Sequence, residues 1–114
     1  MTPADTPTPP SELLGQAPVA LTVLDTKGRL VYYNPYAATI LDRRPEYLGR
    51  DVRDLHQPAS AAKITAILEA YASGQRREFS WRLQRDGRAF TVRVAPWLRD
   101  GQWLGVMHVA MVEQ

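Results

Sequence analysis

One segment near the start of the sequence constrains the fold more than any other. Residues 19–24 and 29–33 are typical of two strands, and the chain then passes through Asn34 and Pro35 into a short helical segment that ends near residue 41. Gly28 lies between the strands and tolerates the positive φ of a tight turn. Asn34 is a good N-cap, and Pro35 suits the first helical position because no N–H is needed there. The segment therefore predicts a β-hairpin that leads into a helix.

Two further turn signals divide the C-terminal part of the chain into strands. Asp86-Gly87 and Asp100-Gly101 are dipeptides typical of two-residue hairpin turns. Apolar and polar residues alternate on both sides of the first turn, which predicts strands with one buried face. The residues that we expect on that buried face are Phe79, Trp81, Leu83, Phe90, Val92 and Val94.

The last strand is apolar on both faces, so both faces should be covered. One face carries Trp103, Gly105, Met107, Val109 and Met111. The other face carries Leu104, Val106, His108, Ala110 and Val112. We expect the helices to cover the face with Met107. The N-terminal segment or a second subunit should then cover the face with His108.

Residues 60–73 predict the longest helix, because apolar residues recur there at intervals of three and four. Ser60 is suited to cap this helix and Gly74 to end it. The preceding residues, 43–55, contain Pro45 and Gly49 and predict short helical turns rather than a strand. The apolar stripe of the long helix consists of Ile64, Ile67, Leu68 and Tyr71.

Length and composition exclude several classes of protein. A chain of 114 residues forms one domain, with a Pro/Thr-rich and therefore disordered tail over residues 1–10, a cap segment over 11–18 and the folded domain over 19–114. Its 14 Lys and Arg are dispersed among 12 Asp and Glu, which favours a mixed-charge surface over nucleic-acid binding. There is no cysteine. The sequence contains neither a signal peptide nor an apolar run of the ~18 residues that span a bilayer, so we expect a cytoplasmic protein without membrane contact.

From about residue 19 to its C-terminus, the chain resembles a PAS domain. The resemblance rests on the order and spacing of the turn at 25–28, Asn34-Pro35-Tyr36-Ala37, Leu48-Gly49-Arg50-Asp51, the amphipathic helix and Trp103-Leu104-Gly105-Val106. It implies an α+β fold with a five-stranded antiparallel sheet of order 2-1-5-4-3, short helices and one longer helix over one face, and a small cavity. It also implies a sensory module that dimerises, can hold a small ligand and has no catalytic residues.

Two local motifs bear on the cofactor that such a domain would bind. Residues 55–60 are similar to a PAS subgroup with Cys-His-Pro-Pro-Lys-Ser, of which only the His, the second Pro and the Ser are kept. Residues 49–56 are similar to the Gly-Arg-Asn-Cys-Arg-Phe-Leu-Gln motif of flavin photosensors, but Val52 occupies the cysteine position. Covalent flavin is therefore excluded, and Met107, in place of a glutamine amide, makes noncovalent flavin a poor fit as well.

Haem is the cofactor that the resemblance leaves open. His56 precedes the long helix and would supply an imidazole ligand, with Met107 as a soft second ligand from the opposite wall. The alternative, which we favour, is that His56 hydrogen-bonds the backbone of its loop while Met107 fills the core. No metal site is expected. His108 alternates out of phase with Met107 and is predicted to lie at an interface.

Three interpretations follow. The chain is a ligand-free interaction module that dimerises, a sensor with haem or a small apolar molecule in its cavity, or a fragment of a larger kinase or regulator. If the chain is complete, we expect it to signal through a partner protein in trans. A small cone-shaped isomerase fold is disfavoured, because such folds begin with long helices. The predicted cavity residues are Leu55, Ile64, Leu68, Trp81, Phe90, Val92 and Met107. The predicted homodimer interface consists of Leu13, Leu14, Ala20, Thr22, Leu104, Val106, His108 and Ala110.

Overall fold

Five antiparallel strands and two helices make up the fold in the computed structural model, which describes residues 17–113. The strands are β1 (Ala20–Asp25), β2 (Leu30–Tyr33), β3 (Phe79–Arg85), β4 (Arg88–Arg99) and β5 (Gln102–Val112). The helices α1 (Pro35–Ile40) and α2 (Pro58–Ala72) and two 3₁₀ turns, Pro45–Tyr47 and Val52–Leu55, connect β2 to β3. The strands form one sheet of order β2-β1-β5-β4-β3. The predicted fold class and strand order are confirmed.

The two Asp-Gly dipeptides form the tight turns that the sequence predicts. Asp86 and Gly87 have φ angles of 53° and 77°, and Asp100 and Gly101 have φ angles of 51° and 80°. Positive φ at both central residues defines the hairpin turn whose twist matches that of the flanking strands. These turns connect β3 to β4 and β4 to β5, so the two longest strands, β4 and β5, lie side by side inside the sheet and β3 lies at its edge.

Asn34 joins β1 to the start of α1. Its Oδ1 accepts hydrogen bonds from the backbone N–H groups of Ala37 and Leu21, each at 3.0 Å. Its Nδ2 donates to the carbonyl oxygen of Val19 at 2.8 Å. Asn34 is fully buried, so each of these bonds is protected from water. The predicted helix cap is confirmed, and the same side chain also fixes the orientation of β1.

Helix α2 begins at Pro58, two residues before the cap position that we predicted at Ser60. No side chain caps this end, and the proline takes the place of one unpaired N–H group. At the other end Gly74 has a φ of 105°, and the N–H groups of Gly74 and Gln75 donate back to carbonyls of the last turn. This arrangement is a Schellman motif. The prediction that the helix ends at Gly74 is confirmed.

The hydrophobic core lies between α2 and the face of the sheet that we call the inner face. The predicted stripe of α2 packs against it, and the ring of Tyr71 lies 5.8 Å from that of Phe79 and 6.3 Å from that of Trp103. The phenol of Tyr71 also donates to the carbonyl oxygen of Arg77 at 2.9 Å. The buried residues of the inner face are Ala20, Thr22, Leu24, Phe90, Val92, Val94, Val106 and Ala110.

Strand β5 presents to the helices the opposite face from the one we predicted. His108 opposes Thr22 of β1 and Val94 of β4, both of which are buried on the inner face. Because side chains alternate along a strand, Met107 lies on the outer face, which is remote from the helices. The predictions that Met107 faces the cavity and that His108 faces outwards are therefore wrong.

The same reversal corrects the predicted dimer interface. Four of its members, Ala20, Thr22, Val106 and Ala110, are buried in the core of a single chain. Leu104 is half-buried at an irregularity where consecutive residues of β4 oppose Trp103 and Gly105, so it is the extra residue of a β-bulge. Because both faces of β5 are apolar, the sequence pattern could not show which of them faces the helices. The bulge also shifts the alternation of side chains along the strand.

The outer face of the sheet is apolar on one half and charged on the other. The apolar half, which we call the outer patch, consists of Leu21, Val23, Tyr32, Met107, Val109 and Met111. On the charged half Arg93 pairs with Glu78 at 2.6 Å, and Arg82 pairs with Glu113 at 2.6 Å.

Two sets of predictions fall on the N-terminal part of the chain. The predicted tail, residues 1–10, and the predicted interface residues Leu13 and Leu14 lie outside the described residues. Within residues 17–113, neither helix has the length and hydropathy needed to cross a membrane.

Candidate functional site

A cavity of about 180 Å³ lies between α2 and the inner face of the sheet. Its deep walls are apolar and include Leu24, Ile64, Leu68, Val94 and Val106. Polar side chains reach it from the segment before α2, from α2 itself and from the sheet. These polar residues are Thr22, Arg43, His56, Ser60, Lys63 and His108. The cavity is therefore a largely hydrophobic space with several cationic or titratable groups on its wall.

Arg43 is half-buried, whereas Lys63 and Arg82, the other Lys and Arg that line the cavity, are exposed. It follows α1, and its Nε donates to Oγ1 of Thr22, a buried residue of β1, at 3.2 Å. Burial lowers the pKa of the Arg43 guanidinium, and the nearby cation Arg85 adds to this effect while Asp42 opposes it. No ion pair among the described residues includes Arg43, since Asp42 pairs with Arg44 at 3.0 Å instead. The guanidinium is thus held in place by a neutral hydroxyl.

His108 contributes a half-buried ring to the same cavity. Its Nδ1 is enclosed and has no hydrogen-bond partner among the described residues. The ring packs edge-on against Trp81, with centroids 6.3 Å apart. Burial lowers the pKa of His108 to about 4, and the positive charges of Arg43 and His56 act in the same direction. His108 is therefore neutral at pH 7.

His56 lies at the end of the 3₁₀ turn that precedes α2. Its Nδ1 is 2.6 Å from the carbonyl oxygen of Val52, and because a carbonyl only accepts, Nδ1 carries the proton. Burial lowers the pKa of His56, although the bond to Val52 opposes this change. The turn is held in place by Arg53, which donates to Asp51 at 2.8 Å and to Thr65 of α2 at 3.2 Å.

The rim of the cavity is also cationic. Ser60 and Lys63 are exposed on α2, and the Lys63 ammonium lies 4.5 Å from the ring centroid of Trp81, a cation–π contact across the rim. Arg82 borders the cavity through its place on β3, but its guanidinium pairs with Glu113 on the outer face of the sheet. No Asp or Glu is found among the residues that line the cavity in the described part of the chain.

Comparisons with known proteins agree with this architecture. A family model described as a PAS domain matches residues 11–111. The chain belongs to the PAS family. Among solved structures, the PAS domain of BvgS from Bordetella pertussis is 18% identical with a TM-score of 0.72, and the match covers 91% of this chain and 83% of that chain.

Two further structures show the same PAS fold. A C-terminal domain from Streptococcus mutans is 22% identical with a TM-score of 0.76, covering 94% of this chain and 90% of that one. A sensory box sensor histidine kinase from Vibrio cholerae is 22% identical with a TM-score of 0.66, covering 91% of this chain and 89% of that one. A search of curated proteins found no match. PAS domains are typical sensory, non-enzymatic modules of histidine kinases.

The structure brings together about half of the residues that we predicted for the PAS cavity. Those that line it are His56, Ile64, Leu68 and Trp81. Leu55 and Phe90 line a neighbouring groove, Val92 is buried in the core, and Met107 lies on the outer face. The sequence analysis missed Thr22, Arg43 and Lys63 and misplaced His108. Thr22 and His108 oppose each other on neighbouring strands. A pattern of alternating residues that placed Thr22 on the inner face would therefore also have placed His108 there.

Haem does not fit this cavity. The space of about 180 Å³ is close to the ~150 Å³ of a cavity that holds benzene, and a tetrapyrrole is several times larger than benzene. The predicted second ligand, Met107, lies on the opposite face of the sheet from His56. Nδ1 of His56 is occupied by Val52, as the alternative interpretation requires. Among residues 17–113, no group of three or more His, Asp or Glu is placed to hold a metal ion.

Proposed function

We propose that this PAS domain is a sensory module that holds a small molecule in its cavity and signals through association of two copies at the outer patch. One observation carries the proposal. The cavity and the outer patch are formed by alternate residues of the same strands, so that His108 and Met107 are neighbours in β5 and Thr22 and Val23 are neighbours in β1. A ligand that displaces the inner side chains must therefore also move the outer ones.

The cavity has the size of a small-molecule site. Pockets for drug-sized ligands occupy ~300–1,000 Å³, whereas an apolar cavity of ~150 Å³ is enough for benzene. At about 180 Å³ this cavity suits a ligand of roughly six to nine heavy atoms. The exposed side chains at its rim, Ser60 and Lys63, lie where such a ligand would enter.

The outer patch has the composition of an interface. Tyr32, Val23 and Met107 lie side by side on three neighbouring strands, and Leu21 and Val109 form a second row. Met111 and Tyr32 are among the most exposed large hydrophobic residues of the domain. An apolar surface next to the charged half of the same face matches the general anatomy of an interface with a polar rim. A stable pair of subunits typically buries ~800 Å² on each.

Sedimentation equilibrium of the full chain tests this association. We expect a dimer for the wild type and at least ~10-fold weaker association for Val109→Asp, because a carboxylate would be desolvated in an apolar interface while Arg93, opposite on β4, is already paired with Glu78. Gln75→Asp is the matched control, because it adds the same charge at an exposed residue that follows α2 and borders a groove between α2 and β3, outside the outer patch. Met111→Lys, at a more exposed position, repeats the test if Val109→Asp does not fold. A wild-type monomer, or equal association of all four proteins, would refute the proposed interface.

A further inference from the structure

We propose that the ligand of the cavity is a small monocarboxylate with an apolar body, whose carboxylate binds the guanidinium of Arg43. The inference rests on the proposed function, because it names the chemical class of the molecule that the cavity holds. It follows from the charge of the cavity wall, from its unpaired polar groups and from the shape of the cavity.

The charges of the cavity all have the same sign. Arg43 and Lys63 line it, two histidines lie on its wall, and no Asp or Glu of the described residues lines it. The ammonium of Lys63 stands over an aromatic ring at the exposed rim. Arg43 is half-buried and its single side-chain hydrogen bond among the described residues is to a hydroxyl. The cavity therefore favours an anion, and it favours a single charge because only one cation lies deep within it.

Two sets of donors on the cavity wall are suited to a carboxylate. The Nε of Arg43 is engaged by Thr22, which fixes the plane of the guanidinium and leaves its terminal N–H groups to bind a ligand. The buried Nδ1 of His108 has no partner. A buried polar atom without a partner is costly, and a ligand oxygen would satisfy Nδ1 in the neutral tautomer that carries its proton there. Arginine binds planar carboxylates through two parallel hydrogen bonds, a geometry that neither a chloride ion nor an amide reproduces.

The remainder of the wall is suited to hydrocarbon. Leu24, Ile64, Leu68, Val94 and Val106 surround the space beyond the polar groups. They would bury an aromatic ring or a branched alkyl chain but would leave the hydroxyls of a sugar or the oxygens of a phosphate unpaired. With about 180 Å³ available, the carboxylate and its body together amount to about nine heavy atoms.

Isothermal titration with matched pairs of acids and amides tests the proposal. The probes are benzoate with benzamide and isobutyrate with isobutyramide, all added to the full chain near neutral pH. Each pair shares its shape and differs in charge. We expect each acid to bind about 10- to 100-fold more tightly than its amide, the range of a charge-assisted hydrogen bond. Arg43→Gln should remove this difference, whereas Arg88→Gln, which removes an equal charge from an exposed position, should preserve it.

The outcomes separate this inference from the proposed function. If the amides bind as tightly as the acids, the preference for an anion is wrong, while the proposed sensing of a small ligand stands. If Ile64→Trp, which fills the cavity, leaves the binding of acids unchanged, they bind elsewhere and the inference fails. If none of the four compounds binds, the inference fails, and the proposed association is judged by Val109→Asp alone. If Arg43→Gln does not fold, the comparison of acid with amide in the wild type still decides.

Discussion

A histidine whose Nδ1 is enclosed and has no partner among the described residues should make the protein sensitive to acid. Burial lowers the pKa of His108 from its ordinary value of 6.5 to about 4, so the folded protein takes up this proton only in strong acid. The unfolded chain takes it up at the ordinary value. Between these two pKa values the unfolded state binds more protons, and stability therefore falls as the pH is lowered. Above the ordinary value the contribution of His108 is fully present.

The size of the effect follows from the two pKa values. A histidine with a pKa of 6.5 in the unfolded state and about 4 in the folded state lowers the free energy of unfolding by about 2 kcal/mol between pH 7 and pH 5, and by about 3 kcal/mol at pH 4. The loss arises because a charge in the cavity is poorly solvated and is repelled by Arg43 and His56. The pKa of His56 is also lowered, so the experiment must separate the effect of His108 from that of His56.

Urea denaturation at several pH values, followed by circular dichroism, measures this loss. The test compares the wild type with His108→Gln, which removes the titrating group but leaves His56 and every carboxylate in place. The wild type should lose about 2 kcal/mol more than the variant between pH 7 and pH 5, a difference of roughly 1 M in the urea midpoint. His56→Gln should retain most of the sensitivity of the wild type. Parallel pH profiles for the wild type and His108→Gln would refute the burial of His108 in the cavity.

Three further substitutions test the packing of the fold, each measured by urea denaturation at neutral pH. Gly105→Ala should lower the free energy of unfolding by more than ~3 kcal/mol, because the added Cβ would lie 1.9 Å from a backbone oxygen of β1. Gly101→Ala is the control: its Cβ would meet nothing within 4 Å, and it should cost about 1 kcal/mol. An equal cost for the two would contradict the close approach of β5 to β1. Asn34→Ala should cost about 2–4 kcal/mol, since several backbone groups lose a buried partner. Tyr71→Phe should cost about 1 kcal/mol through the loss of one hydrogen bond, and no change would show that water replaces it.

The parts of the fold that sequence analysis predicted correctly depend on local chemistry. The Asp86-Gly87 and Asp100-Gly101 turns need positive φ, and few other dipeptides adopt it as easily. Asn34 is recognisable as a cap from its neighbours alone. The stripe of α2 is defined by helical periodicity. Together these features determine the order of the elements, and the resemblance to PAS domains then supplied the order of the strands.

The candidate site was predicted less well because it depends on contacts that are distant in sequence. Both faces of β5 are apolar, so alternation could not decide whether Met107 or His108 faces the helices. Arg43 follows a short helix, where an exposed arginine is the usual expectation, and only the fold carries it to Thr22 on β1. The polar groups of the cavity thus come from separate segments, none of which has a motif of its own.

The central claim is that the cavity and the outer patch are coupled through β1 and β5. The most direct test is the dimer dissociation constant of the full chain, measured by sedimentation equilibrium with and without saturating benzoate or isobutyrate, whichever acid binds more tightly. Coupled sites typically change each other's affinity by about 5- to 150-fold. We predict a change of at least ~5-fold, which Ile64→Trp should abolish by filling the cavity. A dissociation constant that stays the same when the cavity is saturated would contradict the account.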